Sequence, residues 1–518
     1  MNKSLQRVYE YHETTKHAQH RYARSLGYMD WNTQPDPFRV YKGAQTIKLP
    51  LALSNTTPPY HLLDEELPSA PLVKESLSQL LQFSMGIAAY KESGGSSWAV
   101  RCNASSGNLH PTEAYVILPP LLQEQNNSTC IYHYAPKNHA LEKLAEFKSS
   151  FWEGLAEGSF LIGLSSISWR EVWKYGERAF RYTQLDAGHA WQAFVVSAKM
   201  LGWKVTRLDS VSDSDMSTLL GLGQKDRFFE SENPDMLLVI SATEVEPFIS
   251  IDGLIKNTPL LFEGIANRLS PSMQKWEIIP QIEEATKEFE IAQKKLHVES
   301  FKKTPTKESK DVVIDRRSVH VMQKDISKIT KEQFHTILQS VVHSQDGKEN
   351  SAHLALFVNR IDGYESGLYI LIRNERDKES LVKQMDEKFE WKKTELQNLY
   401  MLESGDFMAT SKAISCNQDI ASDGAFSLGM LCNFSQQLQE HGAHRYKELY
   451  WECGAIGQQL YLEATSIGLS GTGIGCFLDD SMHDLLGLKD NRFQILYHFT
   501  VGRGYVDRRI TTKPAYDL

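Results

Sequence analysis

The sequence has little of what would announce a function at once. Cysteine is scarce, six in 518 residues, and no pair is spaced as CxxC. That excludes a disulfide framework and the common zinc signatures. Cys102, Cys130, Cys416, Cys432, Cys453 and Cys476 are expected to be reduced, mostly buried thiols. Long apolar runs are missing too. The longest, such as "MLLVISA" at 236–242, fall far short of a bilayer's thickness, so no membrane partner is expected. The first twenty residues, "MNKSLQRVYEYHETTKHAQH", lack the apolar core of a signal peptide, and a cytoplasmic location is expected. Positive charge is not in excess: the net charge is −9 and the pI about 6.0, with no basic cluster, which argues against nucleic acid as a partner. His12, His17 and His20 lie near one another but have no carboxylate or cysteine at ligand spacing, so no metal site is expected.

What is present is an ordinary globular composition, 41% hydrophobic and 23% charged, long enough for two domains or more. Ten Trp, 21 Tyr and 22 Phe allow a large core, or a site that stacks on a planar ligand. The chain also repeats itself. "LGWKVTRLDSVSDSDMSTLLGL" (201–222) aligns with "IGLSGTGIGCFLDDSMHDLLGL" (467–488), and an offset of 266 residues holds without a gap from Phe160 to Leu222. It pairs Gly163 with Gly429, Gly176 with Gly442, Asp186 with Glu452, Gly188 with Gly454, Gln192 with Gln458 and Gly202 with Gly468. A unit this long is no solenoid repeat. It implies a duplicated domain folded as an internal pseudo-dimer, with 1–264 as one domain, 313–518 as the other, and a Glu/Lys-rich connection with a solvated helix over 265–312. Helices are expected over 189–202 and 454–468, buried against each other. Strands are expected at "AYVILPP" (114–120), "SFLIGLSS" (159–166), "LYILIR" (368–373) and "YHFTVGR" (497–503), which makes the fold α+β.

The halves differ where chemistry would sit. Only the first carries "RCNASSGNLHPTE" (101–113), a run of small polar residues of the kind that holds a ligand by its backbone. Only the first carries Lys174-Tyr175; the offset places Glu440 and His441 opposite. A Lys-Tyr pair can move protons if burial tunes it, or be a surface lysine beside a packed tyrosine. Only the second half carries "DRRSVH" (315–320), expected at a helix start, where Arg316, Arg317, Ser318 and free backbone N–H groups would suit an anion; a capped surface helix is the plainer reading. Only the second has "SGTGIGCF" (470–477), either a close backbone approach to a ligand or a turn after a helix. Only the second ends in "VGRGYVDRR" (501–509), with Arg503, Arg508 and Arg509, either cationic site groups or a solvated tail. These losses are complementary. One composite ligand site, built from both halves, is expected.

Taken as a set, these segments resemble the FMN-dependent nitroreductase superfamily, and most closely its SagB/ThcOx-type dehydrogenase branch. The first half does so through "YHETTKHA", "DWNTQPDPFRVY", "RCNASSGNLHPTEAYV", "YHYAPKNHALEKL" and "KYGERAFRYTQLDAGH", and the second through "RRSVH", "GLSGTGIGCF", "LLGL" and "VGRGYVDRRI". The resemblance implies two tandem nitroreductase-like α/β sandwich domains with flavin at their interface. It places the FMN phosphate on Arg316, Arg317, Ser318 and Arg509, with Arg503, and puts Gly473, Ile474 and Gly475 near the isoalloxazine. The partner domain's loop would supply Ser105, Ser106, Gly107 and Asn108, with Arg101 alongside, and Gln418 would reach the pyrimidine end. Lys174 and Tyr175 match a pair linked to catalysis in azoline-oxidising members. The expected reaction is hydride transfer through the flavin: oxidation of a C–N bond in a small-molecule or modified-peptide substrate, such as an azoline, or reduction of a nitro or quinone acceptor, with NAD(P)H as transient reductant. The sequence departs from the family at His320, where a third basic residue often stands. With one RRS segment and one SSGN loop, one FMN per chain is expected. Further oligomerisation stays open, as does the rival reading of a non-catalytic flavin- or peptide-binding module.

Overall fold

The computed structural model describes residues 2–119, 128–287, 306–343 and 349–516. Each half is built on a seven-stranded antiparallel sheet. In the first the spatial order is Gln45–Lys48, Ala140–Phe147, Thr129–Ala135, Thr112–Leu118, Phe160–Ser166, Asn233–Ser241, Lys204–Arg207. In the second it is Lys392–Lys393, Leu399–Ser404, Gly367–Leu371, Ala352–Val358, Phe426–Asn433, Phe493–Gly502, Ser470–Ile474. Six of the seven positions match in order; the edge strands differ, since Gln45–Lys48 precedes the rest of its sheet in sequence and Lys392–Lys393 falls between Gly367–Leu371 and Leu399–Ser404. All four expected strand segments are present, because each is a short run of apolar and β-branched residues buried on both faces by helices.

The expected helices also form, but start earlier: Ala179–Lys199 and Arg445–Ser466. Almost all of their residues are buried, as their all-round apolar pattern implies. They cross at Gly188 and Gly454. A Cβ on Gly188 would fall 2.2 Å from the Trp451 carbonyl, and one on Gly454 would fall 2.1 Å from the Leu185 carbonyl. Leu185 and Trp451 are themselves 266 residues apart, so the crossing is a local two-fold axis inside one chain. Two further glycine pairs are retained for their backbone. Gly176 and Gly442 (φ +54° and +77°) and Gly202 and Gly468 (+66° and +76°) end helices in conformations that a Cβ would strain.

The halves are joined beyond that crossing. One continuous apolar cluster includes Val8, Trp173 and Tyr182 from the first half and Tyr446, Leu460 and Tyr497 from the second. The last strand, Thr511–Lys513, adds to the first-half hairpin Ile87–Ser93/Ser96–Arg101. Much of the expected connecting helix lies outside the described residues. The described part, Ile278–Ala285, is not simply solvated: Ile279, Ile282 and Ala285 are buried. Among the described residues no helix is long and apolar enough to cross a membrane.

Candidate functional site

The polar loop at 101–110 is held from both halves. Asp186, on the first long helix, accepts from Ser105 Oγ (2.6 Å), Ser106 N (2.9 Å) and Ser106 Oγ (2.9 Å). Burial pushes its carboxyl up to about 7 against the opposing pull of these serine donors. Gln458, on the second long helix, accepts from Ala104 N (3.0 Å) and donates to Cys102 O (3.3 Å). Gly107, Asn108 and His110 all have positive φ, 59°, 60° and 52°. For the two that are not glycine this is strained backbone, the kind kept where function over-determines it. The Asn108 side chain is spent on the loop, with Nδ2 donating to Ala99 O (2.9 Å) and Oδ1 meeting His110 Nε2 (3.0 Å).

Lys174 and Tyr175 end the short helix Ser168–Tyr175, which Gly176 terminates. Both face the loop's glycine: a Cβ on Gly107 would lie 2.7 Å from Tyr175 Oη and 3.0 Å from Lys174 Nζ. The Tyr175 ring packs 4.4 Å from that of Tyr182, whose hydroxyl donates to Gly475 O across the interface (2.9 Å). One turn back, Glu171 is fully buried and neither carboxylate oxygen has a hydrogen-bond partner. Burial, with Asp186 nearby, drives its carboxyl well above the usual range. Burial does the same to the Tyr175 phenol, which is therefore protonated at neutral pH.

The RRS segment is not at a helix start. The helix Ser309–Asp315 ends there, with Arg316 as its C-cap, so the segment brings side chains rather than a set of free helix N–H groups. Arg316 is buried. It donates from Nη2 to Arg101 O (2.6 Å) and Asn103 O (3.4 Å) of the polar loop, and its guanidinium lies 5.3 Å over the Tyr461 ring. Its Nε has no partner. Among the described residues neither Arg316 nor Arg317 has a carboxylate in ion-pair range. Burial lowers both guanidinium pKa values, that of Arg317 to about 10 with Arg316 adding to the effect.

Tyr461 ties this segment to the glycines. Its hydroxyl pairs with Ser318 Oγ (2.7 Å) and accepts from Gly473 N (2.8 Å). "SGTGI" is an edge strand, Ser470–Ile474, not a turn. Ile474 is buried, while its glycine neighbours lie against tyrosines: a Cβ on Gly473 would lie 1.8 Å from Tyr497 Oη, and one on Gly475 would lie 2.5 Å from Tyr182 Cε1. Gln418 donates from Nε2 to Cys476 O (3.0 Å) and Ser415 O (2.8 Å), which sets it beside the same strand.

Two candidates stand apart. Arg509 is paired with Asp507 (2.7 Å) and its side chain is 86% exposed. The Arg101 guanidinium turns toward the Pro37 carbonyl and the Phe38 ring, so it is the Arg101 carbonyl that meets Arg316. Arg503 lies between: its backbone pairs with Gln323 N and Ser327 Oγ beside the RRS segment. Sequence reasoning missed Tyr182, Asp186, Tyr461 and Glu171. A signal existed for the first two, since Arg178, Tyr182 and Asp186 recur every fourth residue and share one helix face.

The two-fold mate of this site carries large side chains in place of glycines. Where the second half has Gly457 and Gly473, the first has Trp191 and Arg207 at the same offset. Arg207 lies over the rings of Trp191 (5.6 Å) and Trp451 (5.3 Å) and pairs with Glu448 (2.9 Å). A cavity remains there, lined in part by Trp191, Arg207, Arg373, Glu448 and Glu452. Glu452, the counterpart of Asp186, accepts from Ser351 N, Ala352 N and Arg373 Nη1. Among the described residues no cluster of His, Cys, Asp or Glu could hold a metal.

The nitroreductase family model matches residues 68–229 and 313–503, one stretch in each half. The crystal structure of a nitroreductase-like protein from Anabaena variabilis superposes with a TM-score of 0.70 at 21% identity, covering 96% of this chain and 99% of that one. The trifolitoxin-processing protein TfxB of Rhizobium leguminosarum bv. trifolii is 28% identical over 180 residues, 31% of this chain and 47% of TfxB, so the chain spans about half that relative's length. A nitroreductase-like protein of Methanocaldococcus jannaschii, MJ1384, is 23% identical over 163 residues, 29% of this chain and 76% of its own. With the model matched in both halves over most of its length, and two seven-stranded sheets that share six strand positions in order, this chain belongs to the nitroreductase family.

Proposed function

We propose that the chain is an FMN-dependent oxidoreductase with one flavin site, in the cleft between its halves. The observation that carries this is the convergence of the RRS segment of one half on the polar loop of the other, through Arg316 and the Arg101 carbonyl. The donor set fits the cofactor. Arg316, buried, and Arg317, partly buried, are cations without carboxylate partners, and Arg316 keeps an unused Nε, which suits a phosphate. Gly107, Gly473 and Gly475 bring bare backbone against Tyr175, Tyr497 and Tyr182, a lining of backbone and aromatic side chains that suits a planar ring. Arg316, Arg317, Ser318 and Arg503 would hold the phosphate end; Ser105, Ser106, Gly107, Asn108, Gln418 and Gly473–Gly475 would line the ring. Arg509 and the Arg101 side chain have no such part as placed. The mate site, where Trp191 and Arg207 replace glycines and no RRS segment or polar loop is present, would hold none.

Bound FMN would supply two-electron chemistry by hydride transfer. The chain's own groups supply position and protons. Tyr175 is protonated at neutral pH and would donate rather than take a proton, with Lys174 beside it at the same glycine. Burial of Glu171 behind them favours its uncharged form, with Lys174 pulling the other way. The substrate we favour is a modified peptide oxidised at a C–N bond, such as an azoline. The support is the similarity to a protein named for processing trifolitoxin. Reduction of a nitro or quinone acceptor by NAD(P)H is the reaction in the other direction.

The test is flavin released per purified chain. About one FMN per chain is expected, falling at least tenfold in occupancy for R316A, since a charged hydrogen bond to phosphate is worth about 1.5–3 kcal/mol. Two per chain, or none after FMN is added, would sink the single composite site. Anaerobic addition of NADPH then separates the directions: a bleached flavin supports the reductive one, an unbleached flavin the oxidation of substrate.

A further inference from the structure

Two cysteines sit apart from the other four. Cys102, Cys130, Cys432 and Cys453 are buried, whereas Cys416 and Cys476 are both partly exposed. Sixty residues separate them in sequence, yet their sulfurs lie 2.6 Å apart. The backbone is shaped for this. Cys416 and Asn417 both have positive φ, 54° and 59°, directly after the helix Met408–Ile414. Two successive non-glycine residues in that region are costly and need a reason. The Gln418 amide then ties the Cys416 turn to the Cys476 carbonyl.

The two sulfurs differ in surroundings. His17 stands beside Cys476, and its Nδ1 accepts from Ala23 N (3.0 Å). That leaves the ring proton on Nε2, aimed as a donor at the Cys476 sulfur. The Arg178 guanidinium lies on the same side, held by Asp479 (3.0 Å) and by Tyr182, and Tyr22 covers Cys416 with a half-exposed ring. Contact with the Cys416 sulfur, against the cost of burial and with help from His17 and Arg178, brings the Cys476 thiol down to about 5; Cys416 goes up. A thiolate beside a thiol that can resolve it is the arrangement thiol–disulfide exchange requires.

We propose that Cys416 and Cys476 form a thiol–disulfide exchange site, with Cys476 the attacking sulfur, Cys416 the resolving one, and a low-molecular-weight disulfide the substrate. The Cys476 thiolate attacks one sulfur of the disulfide, forming a mixed disulfide and releasing one thiolate, which takes up a proton. Cys416 then loses its proton and attacks Cys476, forming the internal bond and releasing the second thiol. One external disulfide is reduced to two thiols, and two protein thiols are oxidised to one disulfide. The step needs no flavin. It sits next to Gly475 and Tyr182, so its redox state would be felt at the cleft.

The test uses the full chain as purified. It is reduced, freed of reductant, treated with oxidised glutathione, quenched in acid, alkylated and digested. The expected product is a Cys416–Cys476 disulfide peptide, with the four buried cysteines still alkylated. C416S should stop at a glutathionyl adduct on Cys476, and C476S should form neither product. Wild-type Cys416 and Cys476 both remaining free, or C416S carrying no adduct, would overturn the proposal. Iodoacetamide rates give a check that a merely structural pair would fail. The Cys476 rate should be nearly flat from about pH 6 to 8, whereas an ordinary thiol near pKa 8.5 rises roughly a hundredfold.

Discussion

Tyr175 and Lys174 touch one glycine and differ in what they can do with a proton. Y175F keeps the ring that packs on Tyr182 and removes only the donor. It should retain flavin and lose kcat by about 10²-fold, as should K174A, in the range of a lost acid or base; a loss of bound flavin instead would make the pair structural. A second residue-scale prediction lies outside the cleft. His133 sits between Glu113 (3.0 Å) and Glu142 (2.9 Å), all buried. Burial lowers its pKa, but the two carboxylate hydrogen bonds overcome this and raise it to about 9. The folded state therefore binds the proton more tightly than the unfolded chain. The stability this gives is fully present below pH 6.5 and is lost as pH rises through about 9, by up to about 3 kcal/mol. Urea midpoints should fall across that window, and H133Q should flatten the fall. None of this could be read beforehand, because His133 and Glu113 are twenty residues apart and meet only through strand pairing.

The elements were easier to read than their ends. The repeat was legible because glycines with special jobs cannot drift: Gly188 and Gly454 must let two backbones meet, and Gly176, Gly442, Gly202 and Gly468 need positive φ. G454A places a Cβ 2.1 Å from the Leu185 carbonyl, a clash with backbone rather than with a side chain that could swing away. It should cost about 2–3 kcal/mol by urea unfolding. G223A, where nothing lies within 4 Å, should be close to neutral. The RRS segment was misread at this scale. Its charge pattern suits a helix start, but the apolar Val312 and Val313 before it are buried, which makes the preceding turn the helix and Arg316 its end. The glycine run at 470–475 was open between turn and ligand contact, and edge-strand pairing with Phe493–Gly502 decided its shape. The Cys416–Cys476 pair was invisible, since no short spacing marks it.

At the scale of the molecule, each half lacks a surface that the other provides. The long helix of each is buried over almost its whole length, and one apolar cluster runs through both. A separate fragment of 313–518 should therefore show no cooperative thermal transition, whereas 1–287 co-expressed with 306–518 should recover one; a fragment that melts cooperatively alone would show that the halves are independent. The expectation of a single site followed from counting what each half had lost; at the mate position Arg207 and Trp191 stand where the other half has glycines. Their presence has a consequence for inheritance. In an assembly of two identical chains, every substitution arrives twice, so a plug that closes one bay closes both. Once the two copies share a single reading frame, a Gly-to-Arg or Gly-to-Trp change strikes one bay and spares the other. The crossing at Gly188 and Gly454 keeps the symmetry of an ancestral pair while the bays on either side are free to acquire separate histories.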